Sequence, residues 1–385
     1  MRSAYSSEKL INLFTLKETK RWLKAGFISK ESFERIQQQH AIDLYHPNLM
    51  IRILLFLATV LALSGVTGLL AIFFGELGEA FLSYGSVLYG LLSFVVVEKA
   101  FIDNNHFKSG VTEAVIYHAC GFTILGVGAI NDFDSVALIT WVCVVVFSFT
   151  AIRYLDLIAT AAAVLSFAYG IFYHLYEAGG VIQQLIPFAF IILFGGLFFL
   201  LRYGRNQSSL LLWENVLILA ESICLLLAYA GGNYLVVREL SINLMNLQLQ
   251  PQQDIPFAYI FYALTIILPI LYLYFGIARK DSVLIRVSLF MVAFSVFTFK
   301  YYYSFGHPEI TITLSGALLL LITLVLLNYL KVIRNGYTRE NLLSEKWASA
   351  NTQAFVISQT MGGNVNAPDM PGGGASGGGG STDQF

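Results

Sequence analysis

Charge is what this sequence has least of. Asp, Glu, Lys and Arg make up only 12% of its 385 residues, against about a quarter in a soluble domain, so a water-facing surface along the whole chain is excluded. The net charge of -1 comes with no basic face, which excludes a nucleic-acid partner. Cysteine is scarce as well. Cys120, Cys143 and Cys224 stand singly inside apolar runs, in no spacing for a disulfide framework or a metal centre, and read as small buried hydrophobes. HExxH, GxSxG and CxxC are missing, as is a phosphate-binding glycine loop ahead of a lysine, and with them any assignable catalytic residue, metal ligand or cofactor. The first apolar run begins near Met50, too late for a cleaved leader, so that run is expected to serve as its own insertion signal.

What the chain has instead is long apolar segments. Hydrophobic residues make up 57% and aromatics 15%. Ten segments fall at approximately 50–74, 80–97, 112–130, 135–152, 155–174, 183–201, 210–230, 255–278, 283–304 and 310–330, each near the ~20 residues that a spanning helix needs. The second and fourth are short. The fold class expected is all-α: a polytopic helical membrane protein of about ten transmembrane helices, in contact with membrane lipids.

The basic residues sort by side. With the N-terminus inside, the inner segments carry 21 of the 23 Lys and Arg, and only Arg238 and Lys300 fall outside. Cytoplasmic loops are enriched in Lys and Arg, and one missed or extra helix would scramble that alternation. The expected localisation is therefore the cytoplasmic (inner) membrane, multi-pass, with both termini cytoplasmic. The outer loops carry acids instead, among them Glu76, Asp132, Glu177 and Asp254. The longest, Gly231 to Asp254, contains Leu240 to Leu249, which suits a short interfacial helix or a cap over the outer opening.

Residues 1–48 read as a cytoplasmic helical head. Thr15 and Glu18 have capping-box spacing, Gly26 stands where a helix would end, and Ser29 can cap a second helix through Ile36, which gives a small hairpin. So short a segment buries little by itself, so it packs on itself and the membrane-facing surface or takes a protein partner. Residues 49–330 form the transmembrane bundle, 331–361 a cytoplasmic segment with an amphipathic stretch from Arg339 to Trp347, and 362–385 a disordered Gly-rich tail that is expected to be flexible.

The seventh apolar segment is the unusual one. It carries Glu214, Asn215, Glu221 and Ser222, and seven residues of helix put the two carboxylates on one face about 10.5 Å apart. A carboxylate inside the bilayer costs roughly 2.5 to 3.5 kcal/mol on insertion scales, so it must face other helices or water. Counted from Leu210, Glu221 falls about 18 Å along the span, near the middle of the hydrocarbon. Either it binds a proton or cation there, or it hydrogen-bonds a neighbouring helix and only specifies packing. Glu113, His118 and Arg286 enter from the same side, and an inner-leaflet network of Glu113, His118, Glu214, Glu221 and Arg286 is geometrically allowed if their three helices are neighbours. Glu113 and Arg286 can instead snorkel to headgroups. Lys300 with Tyr301 to Tyr303 fits an aromatic interface belt, and Gly121, Gly126, Gly128, Gly195 and Gly196 fit either close helix packing or unwound helix. His174, Glu177 and His307 could meet on the outer side, in no metal spacing.

The junction of head and first span carries a resemblance. RWLKAGFISKESFERIQ, with Trp22, Gly26, Ile28, Ser29 and Glu31, followed by RILLFLATVLALSGVTGLLAIFF, resembles the opening of bacterial predicted membrane proteins grouped as the domain of unknown function numbered 2157. The likeness covers about residues 15 to 75. It implies a cytoplasmic two-helix head on a multi-helix membrane body, and it implies no activity and no functional residues.

Three functions fit these observations. The first is a transporter that uses Glu221, assisted by Glu214 and Glu113 or His118, as a proton or cation site. The second is a membrane scaffold whose head recruits a protein partner. The third is a membrane enzyme on a lipid-linked substrate, which would need several polar groups converging at one membrane surface.

Overall fold

A computed structural model describes residues 3–24, 27–40, 42–244 and 253–302, with a few positions between 313 and 328. The sequence segments 331–361 and 362–385, Gly26, His307 and most of the tenth apolar segment lie outside the described residues. The chain divides into two compact units, one of residues 1–12 and 42–299, the other of 13–41 and 300–385.

The head has two helices, α1 (Ser7–Lys24), of which the part from Leu13 onward belongs to the smaller unit, and α2 (Lys30–Gln39), which lies wholly in it. Ser29 caps α2, its hydroxyl accepting the Ser32 N–H at 3.2 Å. Ile36 packs on Leu16 and Ile28. Thr15 and Glu18 do not form the expected cap: α1 begins a full two turns earlier, at Ser7. Glu18 instead holds Arg21 at 3.0 Å along the helix, a pairing that interior helical spacing favours.

Among the described residues of the larger unit, all regular structure is helical, and nine helices or helical runs are long and apolar enough to cross a membrane. They are built on α3 (Leu49–Phe74), α4 (Glu79–Val96), α5 (Val111–Ile130), α6 (Val136–Tyr154), α7 (Leu157–Glu177), α8 (Gly180–Arg205), α9 (Glu214–Gly232), α11 (Ala258–Ala278) and α12 (Ser282–Tyr302), with the short α10 (Tyr234–Asn243) following α9. Polar side chains start three of them: Asn48, Ser135 and Asp156 accept the N–H groups of Ile51, Leu138 and Ala159, which would otherwise be orphaned at a helix N-terminus. The second span is not short. A π-helical turn from Val97 to Ile102 extends α4 to 24 residues.

Successive spans reverse direction, and the tightest neighbours are α4 with α5, α6 with α7, and α8 with α9. Where α4 meets α5, side chains shrink. A Cβ on Gly90 would lie 2.6 Å from the Thr123 nitrogen, and one on Gly126 would lie 2.6 Å from that of Val87, so the two backbones touch as small-residue packing permits. Gly121, Gly195 and Gly196 face open space and serve no such contact. The outward faces are predominantly apolar, with Leu61, Ile72, Ile192 and Leu200 among the most exposed side chains, as lipid contact favours. No residue of α3 is buried.

Candidate functional site

Two ends of the larger unit carry its polar chemistry. The end at which α3, α5, α7, α9 and α12 begin, the charged face, holds the ion pairs between different elements; the end at which α6, α8 and α11 begin is the far face.

At the charged face four such pairs use an arginine. Arg52 in the first turn of α3 reaches Glu113 of α5 at 2.5 Å. The same carboxylate accepts the Gly110 N–H at 2.8 Å and the Thr112 hydroxyl at 2.9 Å, capping α5. Gly110 has φ 91° and a Cβ there would meet the Arg52 carbonyl oxygen at 2.1 Å, so glycine is required where α5 starts against α3. Arg153, near the end of α6, forks onto both oxygens of Glu98 in the π-turn at 2.8 and 2.9 Å, the bidentate geometry that favours arginine over lysine. Arg202 of α8 pairs with Asp281, ahead of α12. Arg205, the last residue of α8, lies 3.0 Å from Glu221 of α9.

The five residues expected in one network are therefore distributed. Glu113 belongs to the α3–α5 pair. His118 bonds the Tyr89 hydroxyl at 3.1 Å, between α5 and α4. Arg286 is exposed in the first turns of α12, a position from which a long side chain can snorkel. Glu214 is the first residue of α9, and Asn215 is exposed. Of the polar stripe only Glu221 is fully shut in, at 0% exposure. The α-helical run that carries it starts at Glu214, after a 3-10 turn over residues 208–213 with non-helical backbone at Leu210. From Glu214 to Glu221 is seven residues, about 10.5 Å of helix.

Arg205 is the partner that inspection of the sequence misses, because it stands outside the apolar segment and counts there only as a topological charge. The signal was the short connection of α8 to α9: a tight reversal sets the last turn of one helix beside the first turns of the next.

The far face holds a second cluster, neutral and also absent from the sequence expectations. Three interruptions surround it: Pro187 within α8, Pro269 within α11, and Asn233 in extended backbone between α9 and α10. A Cβ on Gly231 would stand 2.6 Å from the Pro187 carbonyl oxygen. The Asn233 amide donates to the Tyr229 hydroxyl and to Thr298 Oγ1, both at 3.0 Å, and its oxygen accepts the Val236 N–H that starts α10. The Tyr234 N–H donates to Thr265 Oγ1 at 2.9 Å, and the Tyr234 hydroxyl to Asp254 at 2.8 Å. Tyr229, Asn233, Thr265 and Thr298 are all at most 3% exposed, whereas Asp254 is exposed. The helix expected around Leu240 to Leu249 starts earlier, at Tyr234, where Asn233 caps it; residues 245–252 lie outside the described residues. Nearby on the same face, the Trp141 indole donates to His174 Nε2 at 2.9 Å.

Helix α9 joins the two clusters. Glu221, Cys224, Leu225, Ala228 and Tyr229 form one buried stripe, the i, i+3, i+4, i+7, i+8 pattern of a single helix face. Between its polar ends the stripe packs on Phe194, Val287 and Met291. A buried carboxylate on one side and a hydroxyl–amide cluster on the other are thus separated by apolar packing, with Glu221 and Tyr229 eight residues or about 12 Å apart along the axis. Among the described residues no group of three or more His, Cys, Asp or Glu is placed to hold a metal ion.

No family model, curated protein or solved structure matches this chain.

Proposed function

We propose that this integral membrane protein is a transporter of protons or small cations, with Glu221 as its charged site and α9 as the helix around which access changes. The observation that supports the reading is the stripe on α9, polar at both ends and plugged in the middle by Cys224, Leu225 and Ala228. Polar residues facing the bundle interior, near helices interrupted by Gly and Pro, are the features expected of substrate pathways. Arg205 then acts as an internal stand-in for the transported cation. A buried carboxylate must be compensated, and in this arrangement the guanidinium does so. Its side chain, 12% exposed, is the more open member of the pair. When it swings out, a proton or cation takes its place on Glu221.

A second reading has its own support: the zero exposure of Glu221 and the arginine pairs that tie α3 to α5, α4 to α6 and α8 to α9 suit a rigid membrane scaffold bearing the head. One assay separates the two. Purified protein in vesicles is given a pH or cation gradient across the bilayer, and flux is followed with an internal dye. Transport predicts flux above that of protein-free vesicles and its loss in Glu221→Gln; flux at the protein-free level for the wild type would leave the scaffold. We also propose kinship with the family of unknown function 2157, an inner-membrane location, and the charged face as the cytoplasmic one, the last following from the sorting of Lys and Arg.

A further inference from the structure

Pro269 has no N–H, so the Thr265 carbonyl one turn before it lacks its helical partner. That orphaned oxygen turns to Tyr229, whose hydroxyl lies 3.4 Å away. The same hydroxyl is 3.3 Å from the Met291 carbonyl oxygen of α12. On its other side it accepts the Asn233 amide at 3.0 Å. One hydroxyl proton is therefore shared between two acceptors, and both carbonyl distances exceed the usual O–H···O separation of about 2.7 to 2.8 Å. They match something else. A hard cation bound at about 2.4 Å holds oxygens at right angles to one another about 3.4 Å apart.

The depth fits as well. Thr265 is seven residues from the start of α11 and Met291 eleven from the end of α12, about 10.5 and 16.5 Å from the far face, which brackets the middle of a ~30 Å core. From there hydrogen-bonded residues lead outward: Tyr229 to Asn233, and Thr265 to Tyr234 to exposed Asp254. The oxygens carry no formal charge, which excludes a tightly held divalent ion and suits a monovalent one, as where carbonyls of interrupted helices bind sodium.

We propose that Tyr229 Oη and the Thr265 and Met291 carbonyl oxygens contribute to a binding site for a dehydrated monovalent cation of sodium size. The site deepens the transport reading, which it rests on for its role: it would receive the cation from the far face, on the other side of the apolar plug from Glu221. Binding itself can be tested without transport. The full-length protein in detergent is titrated with sodium chloride against choline chloride at matched ionic strength, following thermal stability and tyrosine fluorescence. Saturable stabilisation by sodium, absent with choline and weaker with potassium, is expected. Tyr229→Phe keeps the ring and removes one ligand oxygen, and should weaken sodium binding by about tenfold or more, the size of one lost contact to a charge. Pro269→Ala returns an N–H to the Thr265 carbonyl, regularises α11 and should also weaken binding while preserving the fold. Equal melting in sodium and choline for the wild type would overturn the site, as would sodium binding unchanged in both variants. Sodium binding without flux in vesicles would uphold the site and remove the transport role; flux without sodium binding would do the reverse.

Discussion

Arg205 closes α8 with its guanidinium Nε 3.0 Å from Oε1 of Glu221, two turns into α9. The pair is unsymmetrical: the arginine is partly open to solvent and the glutamate is not. Removing either partner therefore has a different consequence. Arg205→Gln takes the guanidinium from a carboxylate that is 0% exposed, and breaking a buried pair costs about 3–5 kcal/mol. Glu221→Gln leaves the more open arginine, and should cost about half as much. Thermal melting of both variants and of the double variant, combined as a cycle, measures the coupling. Equal costs for the two single changes would contradict the asymmetry.

The spans could be read from the chain because hydrophobic length is a local property. Those described begin and end within a few residues of the expected segments, apart from α4, where a π-turn adds residues past Val96, and α9, where the 3-10 turn at residues 208–213 delays the start. The buried carboxylate at Glu221 was legible for the same reason. Its partner was not. Periodicity says which face of a helix is polar but not which neighbour lies against it, so Glu113, His118 and Glu221, alike in sequence, are held by Arg52, Tyr89 and Arg205 on three different helices. The Tyr229–Asn233 cluster was hidden more thoroughly. Tyrosine, asparagine and threonine in apolar runs are unremarkable singly, and only the packing of α9, α11 and α12 brings them together.

Glu113 does two separable things at the start of α5: it caps the helix through Gly110 and it holds Arg52. Glu113→Gln can keep the acceptor oxygen for the cap while losing the charge, whereas Glu113→Ala loses both. A lost cap costs about 1 kcal/mol, so the alanine variant should be the less stable by roughly that amount in denaturant or thermal unfolding. In both variants hydrogen exchange in the first turn of α3 should rise, since Arg52 is freed. Exchange unchanged there would mean that the pair does not hold α3.

Tyr5 anchors the N-terminal segment to the larger unit. Its ring stands edge-on to Phe107 at 4.9 Å, and the preceding Ala4 N–H donates to the Arg153 carbonyl at 2.8 Å. Burial, and then the negative charge of Glu113, pushes its phenol well above the ordinary value of 10.0. A raised acid of this kind contributes stability that is complete below the unfolded-state value and is lost as pH rises beyond it. The segment should therefore stay docked at neutral pH and loosen above about pH 10. Hydrogen exchange of residues 3–12 measures this, and Tyr5→Phe, with nothing to ionise, should show no alkaline step. An identical step in that variant would assign the loosening to another group.

The sidedness of the bundle is open to a direct test, because the two faces expose different loops. Asn104 and Asn206 are exposed where the charged face connects α4 to α5 and α8 to α9, and Asp132 and Glu177 are exposed at the far face. Lys and Arg cluster beside the first pair and are nearly absent near the second. A membrane protein inserts with such clusters retained on the cytoplasmic side. Single cysteines at these positions, in a background with Cys120, Cys143 and Cys224 replaced, can be probed on intact cells with a maleimide that does not cross the membrane. Asp132→Cys and Glu177→Cys should label on intact cells, and Asn104→Cys and Asn206→Cys only after the cells are opened. The reverse pattern would turn the molecule over, put the Glu221–Arg205 pair at the outer surface, and make the Tyr229 cluster the end that meets the cytoplasm. Labelling at all four positions on intact cells would break the alternation itself, because residues 104 and 132 are separated by the single span α5.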